Sequence, residues 1–302
     1  MAAMDKLKVA IVVLNYNGLK NTLDCLESLR KLEIKGIRVE IIVVDNGSSD
    51  GSLEALSKLK DIELIENKKN LGYSGGNNIG IKTAIKKGTD ATLILNNDTI
   101  CHPLVLINLI KAAKTADVIS PKIYFDKGYE FHKDWYKQKD LGRVIWYAGG
   151  EIDWQNVIGS HMGVDEVDKG QFSKAKSIDL ATGACMFVKR KVFEKIGLFD
   201  EKYFLYLEDM DFCVRAKNAD FEIFFEPTAI IWHKNASSSG GSGSDLQDYY
   251  ITRNRLLFAT KYAKLRTKLA LLKQILSQMK APIKRKALLD FLTFRFGESH
   301  IQ

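Results

Sequence analysis

Three short polar clusters in this 302-residue chain have the residue types needed to hold a charged ligand, and each closes an apolar run. Asn15-Tyr16-Asn17 follows KVAIVVL, Asp45-Asn46-Gly47-Ser48-Ser49-Asp50 follows VEIIVV, and Asn96-Asn97-Asp98 follows ATLIL. A carboxylate placed directly after a buried strand must find a partner, because an uncompensated charge away from water is costly. Asp45 and Asp98 are in that position, whereas Ser49, Asp50 and Gly51 fit ordinary turn and helix-cap chemistry. Further along, Glu208-Asp209-Met210-Asp211 sets three acids in four residues, His233 closes another apolar run, and Arg253 follows a Ser/Gly stretch. A carboxylate can hold a hard cation or take a proton from a hydroxyl. A guanidinium fork can pair two phosphate oxygens at once. Plainer roles are open to the same residues: acids favour the first turn of a helix, Asp211 can pair with Arg215 at i, i+4, and a histidine after a strand commonly makes a structural hydrogen bond.

The elements that must carry these residues follow from the spacing of apolar side chains. Residues 8–14, 39–44, 62–65 and 91–95 are short, nearly continuous Val/Ile-rich runs, the pattern of strands buried on both faces. Helical segments fall between them: Leu23, Leu26 and Leu29 at spacing three, residues 52–59 after a turn, and residues 77–87 stopped by Gly88. This alternation predicts right-handed βαβ crossovers and a parallel, doubly wound sheet over the first 120 residues. In such sheets ligands bind outside the carboxyl ends of the strands, so the three clusters are expected to meet at one edge. Residues 124–175 lose the alternation and read as an inserted, partly irregular subdomain. Its Trp135, Tyr136, Trp146, Tyr147 and Trp154 either stack on a bound ligand or form the insert's own core. Regularity returns at 178–189, in a helix around 207–217, and in strand-like pieces at 221–225 and 229–232. Residues 237–244 read as a flexible loop, either a lid that orders on ligand binding or a plain surface loop.

The pieces VVLNYNG, IIVVDNGSSDGS, NLGYSGGNNIGI, LILNNDT, TGACMFVKR, FLYLEDMDFCVRA, WHK and YYITRNRL together resemble the family 2 glycosyltransferases, over residues 8–260. Their order and spacing are most similar to the bacterial rhamnosyltransferase branch, which uses dTDP-rhamnose. The resemblance implies an α/β chain with the GT-A (nucleotide-diphospho-sugar transferase) fold: a mostly parallel, Rossmann-like central sheet flanked by helices. It implies a nucleotide-binding half over 1–120, an acceptor and catalytic half over 121–260, and a C-terminal helical extension over 261–302. It also implies an inverting transfer with Asp209 as general base and Glu208 beside it. Asp98 stands as the metal-binding end of a D-x-D motif whose first position here is Asn96, and His233 completes the site for Mg²⁺ or Mn²⁺. Asp45, Asn15, Asn17, Gly75 and Asn97 would line the pocket of a dTDP- or UDP-linked donor, and Arg253 would grip its diphosphate. A UDP-galactose, UDP-glucose or UDP-GlcNAc donor fits the same motifs.

The formal charge of +8 is not spread evenly. Residues 261–302 hold ten basic and two acidic side chains, leaving 35 of each sign in the preceding 260. Within the tail, Leu265, Leu269, Leu272, Leu276 and Met279 recur at helical spacing beside Arg266, Lys273 and Lys280, and Pro282 restarts a second basic, apolar segment. That combination suits an anionic membrane interface, or equally a helical pair packed on the body or on a second subunit of a homo-oligomer. Aromatics spaced for base stacking are missing from it, so nucleic acid is not expected. An apolar fraction of 46% and a charged fraction of 27% exclude collagen-like and disordered classes. Four scattered cysteines, no apolar run near 18 residues and no signal-peptide stretch point to a cytoplasmic enzyme, peripheral on the membrane, acting on a saccharide or lipid-linked saccharide.

Overall fold

The computed structural model describes residues 7–235 and 244–299. In chain order its elements are β1 (Leu7–Asn15), α1 (Leu19–Leu29), β2 (Ile37–Asp45), α2 (Ser52–Ser57), β3 (Glu63–Glu66), α3 (Gly72–Lys86), β4 (Ala91–Asn96), β5 (Thr99–Cys101), α4 (Val105–Ala112) and β6 (Val118–Phe125). There follow β7 (Ile145–Tyr147), β8 (Gly150–Asp153), β9 (Ile158–His161), β10 (Lys176–Ser177), β11 (Cys185–Lys189), α5 (Arg190–Ile196), α6 (Glu208–Asn218) and β12 (Ile223–His233). The last three are α7 (Asp245–Tyr262), α8 (Leu265–Ser277) and α9 (Pro282–Leu292).

One large sheet runs in the order β10-β12-β6-β11-β4-β1-β2-β3, with β5 added beside β12 and β7 beside β6. The pairs β3–β2, β2–β1, β1–β4 and β6–β12 are parallel, and β11 is antiparallel to both of its neighbours. Val9, Ala10, Ile11, Val12 and Val13 are all fully buried, which is why β1 carries no polar face. Each such aliphatic side chain contributes roughly 1.5–3 kcal/mol by leaving water. The parallel ladder ends its strands at one edge: Asn15 pairs with Asp45 and Leu14 with Asn96, so the polar clusters stand side by side as their spacing predicts.

Three sequence expectations change. Helix α3 starts at Gly72, five residues ahead of the expected start, and takes the glycines inside it. They serve close packing: a Cβ on Gly76 would lie 2.4 Å from Leu14 Cδ1, one on Gly80 2.4 Å from Val12 Cγ1, and Gly72, at φ +71°, lies against Phe204. The pieces at 221–225 and 229–232 form the single strand β12, bulged between Glu226 and Ile230. In the tail, the side chains buried most deeply are Leu271, Ile275, Ala287 and Leu288, whereas the regular stripe splits: Leu272 and Met279 pack partly on the core, and Leu265 at 70% exposure, Leu269 at 58% and Leu276 point outward. Of the expected lid, residues 237–243 lie outside the described residues, and Ser244 caps α7 by accepting from the Gln247 N–H.

Candidate active site

A dense hydrogen-bond network closes the ends of β1 and β2. Asn15 Nδ2 donates to Asp45 Oδ1 at 2.7 Å and to Ser48 Oγ at 3.1 Å, and Asp45 Oδ2 accepts from the Ser48 N–H at 3.0 Å. Asn15 Oδ1 accepts from Thr22 Oγ1 at 2.7 Å, and Asn97 Nδ2 donates to the same Thr22 hydroxyl at 2.9 Å. Asn15, Asp45 and Asn97 are buried, so each answers the cost of its own burial through the others. Asn17 is exposed at φ +49° and holds the next loop by accepting from the Ser49 N–H at 2.7 Å. Gly75 is buried within the first turns of α3, its α-carbon facing the Leu71 side chain.

Asp98 and His233 meet because β5 pairs antiparallel with β12, setting Thr99 opposite His233, while the Lys234 N–H donates to the Asp98 carbonyl at 2.9 Å. Both side chains are buried, with His233 Nε2 3.0 Å from Asp98 Oδ1. Among the described residues neither ring nitrogen of His233 finds a hydrogen-bond partner, although a buried polar atom left without one costs about 1–3 kcal/mol. Two ligand atoms each about 2.1 Å from an octahedral cation stand about 3 Å apart, so the spacing suits a shared cation where the orientation does not make a hydrogen bond. Among the described residues no group of three or more His, Cys, Asp or Glu side chains converges, so these two are the protein ligands on offer.

Helix α6 begins with Glu208 and Asp209 immediately after Phe204, Tyr206 and Leu207, three non-glycine residues at φ +64°, +69° and +70°. Asp209 Oδ2 accepts from the Gly183 N–H at 3.0 Å and Oδ1 from the Met210 N–H at 2.8 Å. The Asn96 N–H donates to the carbonyl of Ala184, next to Gly183, so the base candidate is tied within a few residues to the strand end that carries Asp98. Burial raises the Asp209 carboxyl above its usual range, against the pull of those N–H donors. Burial lifts Glu208 further, with the neighbouring Asp209 charge adding to it, and Glu208 Oε2 has no hydrogen-bond partner. Asp211 is structural, as expected: it accepts from Arg215 at 2.8 Å and Lys261 at 2.6 Å.

Arg253 departs from its expected role. It is 0% exposed, stacked on Tyr249 and Tyr250, and donates to the carbonyls of Gly297, Lys202 and Tyr203 and to Asn254 Oδ1. Asn254 Nδ2 adds bonds to the carbonyls of Tyr203, Leu205 and Tyr206. A guanidinium consumed by backbone carbonyls holds the left-handed segment before Asp209 and is not presented to a diphosphate.

Sequence reasoning passed over Tyr73 and Gly183. The Tyr73 hydroxyl donates to the Gly183 carbonyl at 2.5 Å, and a Cβ on Gly183 would lie 2.7 Å from that hydroxyl oxygen. Gly183 thus needs its bare backbone to serve Tyr73 and Asp209 at once, a function hidden inside the quoted TGAC piece. Of the insert's aromatics, Tyr147 is core, its hydroxyl donating to the Leu180 carbonyl at 2.7 Å. Trp135 stacks on His132, Tyr136 bonds the Asp165 carbonyl, and Trp154 lies beside Phe258. Trp146, among these five, lies edge-to-face against a site residue, His233.

The sequence pattern of glycosyl transferase family 2 matches residues 10–197. This chain is a family 2 glycosyltransferase. The glycosyltransferase is 28% identical, over 82% of its length and 74% of the relative's, to the low-salt glycan biosynthesis hexosyltransferase Agl10 of Haloferax volcanii. It is 26% identical to the N-acetylglucosaminyl-diphospho-decaprenol L-rhamnosyltransferase of Mycobacterium tuberculosis, over 67% of this chain and 68% of that one. The dTDP-rhamnosyl transferase RfbF of Shigella flexneri matches at 23%, over 83% and 79% of the two chains. Among solved structures, GalNAc-T7 with UDP, GalNAc and Mn²⁺ aligns with a TM-score of 0.62 at 16% identity, over 83% of the glycosyltransferase, which spans about half (48%) of that chain. The mannosyltransferase PcManGT from Pyrobaculum calidifontis, with GDP-Man and Mn²⁺, aligns at 0.53 and 14% identity over 96% and 88%. The fold of the glycosyltransferase is accordingly GT-A. Among its described residues no helix is long and apolar enough to cross a membrane.

Proposed function

We propose that this glycosyltransferase is an inverting, cation-dependent enzyme that moves L-rhamnose from dTDP-rhamnose to a glycan or lipid-linked saccharide. The observation that carries the mechanism is the buried Asp98–His233 pair at 3.0 Å, with both imidazole nitrogens lacking hydrogen bonds. The rhamnosyl donor is supported by two relatives whose names carry that sugar. A divalent cation held there, Mg²⁺ or, with an imidazole ligand, preferentially Mn²⁺, would neutralise the leaving diphosphate. The chain's own residues do the rest. Asp45, held by Asn15 and Ser48, presents a fixed acceptor edge for a pyrimidine N–H at the strand ends, with Asn17, Gly75 and Asn97 around the same pocket. Asp209 takes the proton from the acceptor hydroxyl as that oxygen attacks the anomeric carbon from the face opposite the diphosphate, so one displacement inverts the configuration. Burial and the neighbouring Asp209 charge push Glu208 toward its protonated form, in which it can donate a hydrogen bond to the acceptor without repelling Asp209.

The test is stabilisation and turnover across a donor panel with Mn²⁺. dTDP-rhamnose is expected to raise the melting temperature most and to be the donor turned over, and EDTA is expected to abolish both effects. The 28% match to a hexosyltransferase favours UDP-hexoses as the second reading, and a UDP-hexose outperforming dTDP-rhamnose would establish it in place of the first.

The same proposal includes peripheral contact with an anionic membrane through 261–302. Leu265, Leu269, Leu276, Leu289, Leu292 and Phe294 are exposed on α8, α9 and the turn that follows, among Arg266, Lys273, Lys280, Arg285 and Arg295. The protein is expected to float with vesicles containing phosphatidylglycerol, and to lose this when Leu265, Leu269 and Leu276 are changed to Ser. Equal flotation of that variant, or none with the wild type, would sink the membrane contact.

A further inference from the structure

We propose that Trp146 is a positioning residue for the imidazole of His233, so that the inserted subdomain orients the cation site. The inference rests on the reading of His233 as a cation ligand. Ligating histidines ordinarily have their ring orientation fixed by a hydrogen bond from the nitrogen that does not bind metal. His233 has no such bond: Nδ1 and Nε2 are both buried without one. What the ring does have is Trp146, edge-to-face, with centroids 4.5 Å apart and planes at 70°. Trp146 is backed in turn by His161 of β9, at 4.6 Å and 66°, and His161 stands at 5.0 Å and 89° to Tyr147. Three rings, His161, Trp146 and His233, thus form a ladder from the insert to the end of β12.

The backbone supplies an independent reason for Trp146 to be there. On β6, Ile123 pairs with Tyr147 and the next residue, Tyr124, pairs with Ile145, so Trp146 is the extra residue of a β-bulge. A bulge turns one side chain out of the regular alternation, and bulges of this kind gather beside active sites. β6 also pairs with β12, Phe125 lying opposite His233, so the bulged strand β7 pairs with the strand next to the ligand's own. Edge-to-face aromatic contacts are geometrically selective, which suits them to hold a ring plane where no hydrogen bond does.

The test reads cation affinity directly, by electron paramagnetic resonance of Mn²⁺ added alone and again with dTDP or UDP. Trp146→Leu keeps apolar bulk and removes the ring; it is expected to weaken Mn²⁺ binding by about 10- to 100-fold, the usual cost of losing an outer-shell partner. Trp146→Phe is expected to restore most of the affinity. His233→Ala is expected to lose at least as much as Trp146→Leu, and the double variant no more than His233→Ala alone, because the tryptophan acts through the histidine. Wild-type affinity in Trp146→Leu with weakened binding in His233→Ala overturns the positioning role and leaves His233 a ligand. Unchanged binding in His233→Ala removes the ligand reading and the positioning role together, and additive losses in the double variant overturn the positioning role as well. Should Trp146→Leu fail to fold by circular dichroism, His161→Leu tests the ladder one ring back, where weakened binding supports the proposal and unchanged binding overturns it.

Discussion

Asp209→Asn is expected to lower kcat by about 10²- to 10⁴-fold while leaving donor binding in place, because it removes the proton acceptor and little else. Asparagine keeps one oxygen for the N–H of Gly183 or Met210, so α6 retains its start. The variant should also change how the protein responds to pH. Burial raises the folded pKa of Asp209 above its unfolded value, so the folded state binds the proton more tightly than the unfolded chain does. The stability this gives is present in full below the unfolded carboxylate pKa and is lost as pH rises through the raised folded value. At neutral pH the ionised side chain is therefore a burden on the fold, which Asn lifts. A melting temperature at pH 7.5 equal to or above that of the wild type is expected beside the collapsed turnover. In the wild type, kcat/KM should fall on the acid side at a pH above the usual carboxylate range, and that limb should vanish from the residual activity of the variant. Turnover like that of the wild type in Asp209→Asn would remove the residue from the reaction.

The second large effect is on stability. Arg253→Met keeps the apolar stem against Tyr249 and Tyr250 and removes the fork that satisfies the carbonyls of Lys202 and Gly297. The loss of the charged hydrogen bonds, with the Lys202 carbonyl still held by the Gly297 N–H, places the cost on the order of 3 kcal/mol in chemical denaturation. Nucleotide affinity in the fraction that remains folded should match the wild type. Unchanged stability with lost nucleotide affinity would return Arg253 to the diphosphate role that its motif suggests.

The contrast between those two residues shows what the sequence carries and what it does not. The strands β1, β4 and the second half of β2 were legible because burial on both faces forces a continuous aliphatic run, whereas β3 is a half-buried edge strand, and the acidic ends were legible because a charge beside such a run has few tolerable fates. Asp98 and Asp45 follow from that logic, whereas His233 and Asn15 enter through the family resemblance, and the structure brings each pair together through strand register. The insert was not legible, since its short strands β7, β8 and β9 carry too few residues to establish a period. Trp146 illustrates the gap: which of five aromatics reaches the site depends on a one-residue slip in pairing with β6, and no local composition encodes a slip. Arg253 fails for another reason. A guanidinium satisfies backbone carbonyls as readily as it binds phosphate, and the TRN triplet reads alike in both cases. The outward stripe of α8 shows the limit of periodicity itself, which reveals that a helix has an apolar face but not whether the protein covers it.

The left-handed turn that launches α6 is pinned from far along the chain. Its carbonyls are held by Arg253 and Asn254, and Gly297 clasps the same stretch, donating its N–H to Lys202 and lending its own carbonyl to Arg253. The ribosome delivers Arg253, Asn254 and Gly297 well after the turn they clamp. The nascent polypeptide therefore acquires its Rossmann-like half before the start of α6 can be fixed, and that turn stays unclamped until the segment carrying Gly297 has emerged.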